Sequence, residues 1–159
     1  MEQIVELTLK QVPWNLLLEA DPNRKQISTY LSKSLLFGYQ LDGQILGVVV
    51  VQPNHSILEA EIKNIAVDPS SEGQGIGRQL LNYVIDWSRN NHYHTLFIST
   101  GNSSIRQLKI YQKVGFEIFD LDKNFFIRNY PKPIFEDGIQ CITLIKLKMS
   151  SRIVKSSAT

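Results

Sequence analysis

The segment Glu72-Gly73-Gln74-Gly75-Ile76-Gly77-Arg78 constrains this chain more than any other. It follows an alternating run ending Ile65-Ala66-Val67 and a turn at Asp68-Pro69, and it opens a pattern with apolar residues at Ile76, Leu80, Leu81, Val84 and Ile85. The first run has the period of a strand and the second that of an amphipathic helix. A glycine-rich turn between them puts unpaired backbone N–H groups at a helix N-terminus, where the helix dipole favours negative charge. Three glycines at alternate positions also let a bulky anion approach the main chain without meeting Cβ atoms. The alternative at this point is a tight strand-to-helix turn that holds no ligand.

The rest of the chain reads as one α/β domain over residues 1–149, with 150–159 a serine-rich tail. Ile4–Leu9 is an edge strand and Trp14–Ala20 a helix, and Asp21-Pro22 restarts a helix over Lys25–Ser34. Leu36–Leu41 and Ile45–Val51 flank Asp42-Gly43, which predicts a hairpin. Val48–Val51 is apolar on both faces and so belongs at the centre of a sheet. Pro53–Ser56 is a turn into a long strand over Leu58–Val67. Thr95–Ser99 is a further strand, parallel to the one before the glycines because a helix connects them. Asn102-Ser103-Ser104 caps a helix running to about Val114, and Gly115 stops it. Phe116–Phe119, Phe125–Arg128 and Cys141–Leu147 are the last strands, the final two separated by the stiff Tyr130-Pro131-Lys132-Pro133.

Composition excludes several classes of function. A formal net charge of +2 gives no basic stripe for nucleic acid. No run approaches the length needed to span a bilayer, and the N-terminus has no signal-peptide pattern. A lone cysteine, Cys141 in an apolar run, fits a reducing, cytoplasmic setting and a structural role. His55, His92 and His94 show no metal-ligand spacing, so no metal is expected.

The anion is not a common nucleotide. Glycines at 73, 75 and 77 miss the Gly-x-Gly-x-x-Gly spacing of dinucleotide folds, and Arg78-Gln79 replaces the Lys-Ser/Thr that would end a P-loop. Ile62–Pro69 followed by Glu72–Gly77, with Asn102–Phe116 further on, resembles the two linked signatures of the GCN5-related N-acetyltransferase (GNAT) superfamily. The likeness covers about residues 36–147. It implies a mixed, mostly antiparallel central sheet flanked by helices, the acyl-CoA N-acyltransferase fold, with acetyl-CoA as co-substrate. One signature position departs from the family. Glu72 stands where Arg or Gln is usual, which is expected to weaken the grip on the cofactor at most, with Arg78 offsetting the charge.

By the same resemblance, backbone groups of Ile65, Ala66 and Val67 bond the pantetheine arm. Gly73, Gln74, Gly75, Ile76, Gly77 and Arg78 receive the pyrophosphate, Asn102 steadies the arm, and Tyr111 faces the cofactor sulfur as the catalytic acid that protonates the departing thiolate. An amine with a pKa near 10 is protonated at neutral pH, so acetyl transfer to it needs a base. Glu61 is preferred and Glu59 is the second candidate, the two sharing a strand face unless a bulge intervenes. Phe125 and Tyr130, with Glu136 and Asp137, are expected to line the acceptor pocket, the two acids attracting a cationic amine. The expected reaction is direct attack by a primary amine, from a small molecule or a peptide. The alternative is a non-catalytic acyl-CoA-binding domain. An exposed edge strand near either terminus offers a surface for a homodimer.

Overall fold

Strand alternation and helix periodicity place nine strands and five helices in the computed structural model, which describes residues 1–150. In chain order they are β1 (Glu2–Leu7), α1 (Trp14–Ala20), α2 (Arg24–Leu31), β2 (Leu35–Leu41), β3 (Gln44–Asn54), β4 (Glu59–Val67), α3 (Ile76–Asn90), β5 (Thr95–Gly101), α4 (Ile105–Val114), β6 (Glu117–Asp122), α5 (Phe125–Asn129), β7 (Ile134–Glu136), β8 (Ile139–Cys141) and β9 (Leu144–Ser150). Seven strands form one sheet in the order β1-β2-β3-β4-β5-β9-β6, and β7 and β8 pair as a separate hairpin. Every pairing is antiparallel except β4 with β5.

The sheet has a core on each face. On one, Val49, Val51, Ala60, Ile62 and Leu147 meet the buried stripe of α3 (Ile76, Leu80, Leu81, Val84, Ile85) and Tyr111 of α4. Each such aliphatic side chain contributes on the order of 2 kcal/mol by leaving water. On the other, Leu36, Val48, Val50 and Ala66 meet Leu16 and Leu17 of α1 and Ile27, Tyr30 and Leu31 of α2. Val48–Val51 supplies both cores and is wholly buried, as its unbroken apolar run requires.

A bulge in β4 decides which core each of its side chains enters. Val50 pairs with Asn64 and Val51 with Ile62, so Lys63 is an extra residue in the ladder. Before it, Ala60 and Ile62 point to the α3/α4 core; after it, Asn64 and Ala66 point to α1 and α2. The bulge lies beyond Glu59 and Glu61, which keep a common face.

Several expectations need correction. β3 continues through Pro53 and Asn54 instead of turning there. Phe125–Asn129 is a short helix, not a strand. It opens on Asn124 in the left-handed region (φ 64°), and Phe126 packs beside Gly101, where an added Cβ would lie 3.3 Å from its ring. The Cys141–Leu147 run is two strands, because the Asn102 carboxamide oxygen accepts the N–H groups of Ile142 (2.7 Å) and Thr143 (2.9 Å), which therefore join no ladder. Ser150 belongs to β9, not to a tail; the remainder of the expected tail, 151–159, lies outside the described residues.

Candidate active site

β4 and β5 separate after a short common stretch. Their ladder runs from Glu59 opposite Thr95 to Ile62 opposite Ile98 and stops there. Both strands continue, β4 held by β3 as far as Val67 opposite Gly47, and β5 by β9 as far as Gly101 opposite Leu144. The result is a wedge between two rigid strands, edged by main-chain groups of 63–67 and 99–101 that do not pair with each other. Polar main chain left unpaired inside a sheet calls for another partner.

The glycine-rich turn closes one end of this wedge. The Asp68 carboxylate accepts from the N–H (2.9 Å) and hydroxyl (2.8 Å) of Ser70, and its own N–H donates to Leu46 O, so the turn is pinned to the sheet. Gly75 is the N-cap of α3 in the left-handed region (φ 82°) and supplies no side-chain cap. The first intrahelical bond runs from Gln79 N–H to Gly75 O, which leaves the N–H groups of Ile76, Gly77 and Arg78 without helical acceptors. A Cβ added at Gly73 or Gly75 would meet nothing within 4 Å. The donors therefore look onto open space of the kind a diphosphate fills, and the site fits acetyl-CoA.

Glu72 reaches Arg106 of α4 at 3.7 Å, with both side chains more than half exposed. Arg106, not Arg78, is thus the cation that offsets the unusual carboxylate beside the cradle.

Tyr111 is buried on α4, where desolvation pushes its phenol well above the ordinary value. Its ring meets Phe116 edge-on at 6.4 Å. Asn102 is largely committed to structure. Besides the two bonds it accepts, its Nδ2 donates to Gln140 O at 3.1 Å, which holds the β8–β9 junction on the end of β5. Glu61 and Glu59 line an open groove of about 520 Å³ with Gln52, His55 and Phe97. Glu61 lies one residue before the last paired position at the wedge apex and contacts Lys63 Nζ at 3.4 Å.

Of the residues expected at the acceptor side, Tyr130 donates from its hydroxyl to Asp21 at 3.1 Å. Phe125 packs edge-on against Phe126 at 5.0 Å. Glu136 accepts from the hydroxyl of Ser104, the residue that starts α4, at 2.8 Å. Asp137 sits at the tip of the β7–β8 hairpin in the left-handed region (φ 50°). Sequence reasoning missed Asp21, Tyr30, Asn64 and Phe126. Asp21 carried only the signal of a helix restarting at Asp21-Pro22, and its neighbour Tyr130 is 109 positions away.

The free N–H groups at the start of α3 thus lie beyond the end of β4, where β4 and β5 no longer pair. The chain belongs to the Acetyltransferase (GNAT) family, whose profile matches residues 1–116. YvbK, an uncharacterised N-acetyltransferase of Bacillus subtilis, is 39% identical over 134 residues, which is 84% of this chain and 86% of that protein. A GNAT family acetyltransferase from Elizabethkingia anophelis, solved with acetyl-CoA bound, is 45% identical, with a TM-score of 0.89 over 94% of this chain and 97% of that one. The IAA acetyltransferase of Bacillus cereus is 37% identical, with a TM-score of 0.90 over 94% of this chain and 99% of that one. The chain is an acetyl-CoA-dependent N-acetyltransferase that acetylates an amine. Among the described residues no helix is long and apolar enough to cross a membrane.

Proposed function

We propose that the enzyme acetylates a primary amine by direct attack in a ternary complex, with the thioester lying at the apex of the β4/β5 wedge. The observation that carries this reading is the end of the ladder at Ile62 and Ile98 while both strands run on. Main-chain groups of Ile65, Ala66 and Val67 then bond the pantetheine arm as a further strand would, and Gly73–Arg78 hold the diphosphate. Asn102 acts by fixing the β5 end of the wedge through the segment it binds.

Glu61, beside the apex, takes the proton of the incoming ammonium through a water, and Glu59 adds negative charge along the same groove. The amine nitrogen forms its bond to the carbonyl carbon as the C–S bond breaks. Tyr111, kept neutral by burial, gives its proton to the departing thiolate and regains one, through water, from the newly acylated nitrogen. Cys141 is a poor acyl carrier. It is buried beside Gly101, and desolvation raises its thiol pKa, partly offset by contacts from Ser103. This favours direct transfer over an acyl-enzyme.

Phe125 and Tyr130 form the apolar side of the acceptor approach, with Glu136 and Asp137 an outer negative rim. Small-molecule and peptide amines both suit an open groove. The proposal includes a cytoplasmic setting, on the ground of the lone buried thiol, and pairing of two copies along β1, an edge strand near the N-terminus; β9, the last described strand, lies between β5 and β6 and offers no edge. Glu61→Gln should lower kcat at neutral pH about tenfold and regain most of it at high pH, where the amine deprotonates unaided. Amine-dependent CoA release across a pH series measures this. A uniform rate equal to the parent's at every pH would remove Glu61 from the role.

A further inference from the structure

The α1/α2 face of the wedge is crossed by a series of contacts that passes through side chains and the end of α1. On the β5 side, an added Cβ at Gly101 would lie 2.3 Å from Cys141 Sγ and 3.3 Å from the Phe126 ring, so both residues rest on the end of that strand. The Phe126 ring stands 5.6 Å from that of Tyr130, whose hydroxyl donates to Asp21 Oδ1. Asp21 is the C-cap of α1. One turn earlier in that helix, Leu17 O accepts from Asn64 Nδ2 (3.1 Å), and Asn64 stands on β4 directly after the bulge. The chain of contacts thus runs from β5 to β4 across the opening where the two strands no longer pair.

The polar groups in this span are unevenly satisfied. Asn64 is 95% buried, its relative exposure being 5%, and its Oδ1 has no hydrogen-bond partner among the described residues. The orientation of the amide follows from its contacts, because Leu17 O can only accept. The Tyr30 hydroxyl accepts from Asn64 Nδ2 at 3.2 Å and retains its own proton to donate. Asp21 is half-buried, accepts from Asn23 N–H and the Tyr130 hydroxyl, and takes part in no ion pair among the described residues. Lys63 contacts Glu61 at 3.4 Å and lies over the Tyr30 ring at 5.5 Å, so that ring already carries a cation of the chain's own. A half-buried carboxylate without a counter-ion, an orphaned amide oxygen and the Tyr130 ring match the requirements of an alkylammonium: negative charge, an acceptor and an aromatic face.

We propose that Asp21, Asn64 and Tyr130 form the subsite that seats the protonated head of a primary alkylamine acceptor. The proposal rests on the reading of the β4/β5 wedge as the acetyl-transfer centre, and it names the acceptor class as cationic alkylamines. The electrostatics agree. Desolvation raises the Asp21 pKa, only partly offset by its bonds from Asn23 and Tyr130. A folded-state pKa above the unfolded one means that stability is lost as pH rises through it, so the ionised carboxylate is a cost to folding at neutral pH. A cation bound beside the carboxylate would offset that cost.

The test uses the enzyme–CoA complex at pH 7, titrated separately with butylamine, a cation there, and with butanol, its neutral counterpart of the same length. The readout is the side-chain amide resonances of Asn64, with backbone amides of Ile65–Val67 followed on CoA addition as an independent report on the wedge. Butylammonium should shift the Asn64 side chain saturably, butanol should not, and Asp21→Asn should weaken the response about tenfold or more without lowering Tm. Equal responses to the two probes, an unmoved Asn64, or an Asp21→Asn variant that binds as well as its parent overturns the subsite. CoA-induced shifts at Ile65–Val67 alongside any of these would leave the transfer centre standing; their absence would remove both. The wild-type titration decides the matter even if the variant does not fold.

Discussion

Gly75→Asp should lower kcat/KM for acetyl-CoA about a thousandfold while the protein stays folded. Gly75 adopts φ 82°, and the space beyond its Cα is open, so an aspartate fits but points a carboxylate into the cradle. A unit charge about 4 Å from a phosphate oxygen, at the effective dielectric of a protein surface, is worth about 4 kcal/mol. Each factor of ten takes about 1.4 kcal/mol, so repulsion alone accounts for the loss. Left-handed backbone adds roughly 1 kcal/mol against folding for a residue with a Cβ. Gly43 provides the control. It has nearly the same φ (84°) and equally open surroundings, but lies at the β2–β3 turn, away from the cradle. Gly43→Asp should carry a similar folding cost and leave KM for acetyl-CoA unchanged. Steady-state kinetics beside a thermal melt of both variants separates charge in the cradle from strain in the chain.

Tyr111→Phe should reduce kcat about a hundredfold, with CoA affinity within about twofold of the parent. General acid or hydrogen-bond assistance to a leaving group is typically worth 10²–10⁴ in rate, roughly the lower end here because the sulfur is already a good leaving group. The substitution keeps the ring and its edge contact with Phe116, so the core is not opened. Burial raises the phenol pKa, so Tyr111 stays protonated across the working range. Consequently the wild-type rate should show no alkaline fall from this group up to about pH 10, where an exposed tyrosine would ionise. Single-turnover kinetics with a CoA-binding measurement tests both halves. A kcat near the parent's would return Tyr111 to core packing.

The elements with strong local signals were readable from residues alone. Asp42-Gly43 is a turn with both residues at positive φ, Ile76 through Ile85 bury the expected stripe, and Gly115 ends α4 in the left-handed region. The glycine-rich turn into α3 was readable for the same reason: its free N–H groups are local main chain. What failed depended on distant partners. Phe125–Asn129 has the apolar composition of a strand, yet it packs as a helix with Phe126 against a glycine of another strand. Nothing in Cys141–Leu147 shows that Asn102 will take two of its N–H groups. The Lys63 bulge leaves no trace in a period-two pattern, though it decides that Asn64 faces α1 and α2. Asp21 reads as part of a helix restart, and nothing local shows that the Tyr130 hydroxyl will donate to it.

The main-chain grip on the coenzyme is tested most directly by hydrogen exchange at individual amides with and without CoA. Protection should appear on CoA addition at Ile76, Gly77 and Arg78 and along Ile65–Val67, while the Asp42-Gly43 turn exchanges as before. Unchanged exchange at both segments under saturating CoA would contradict the account.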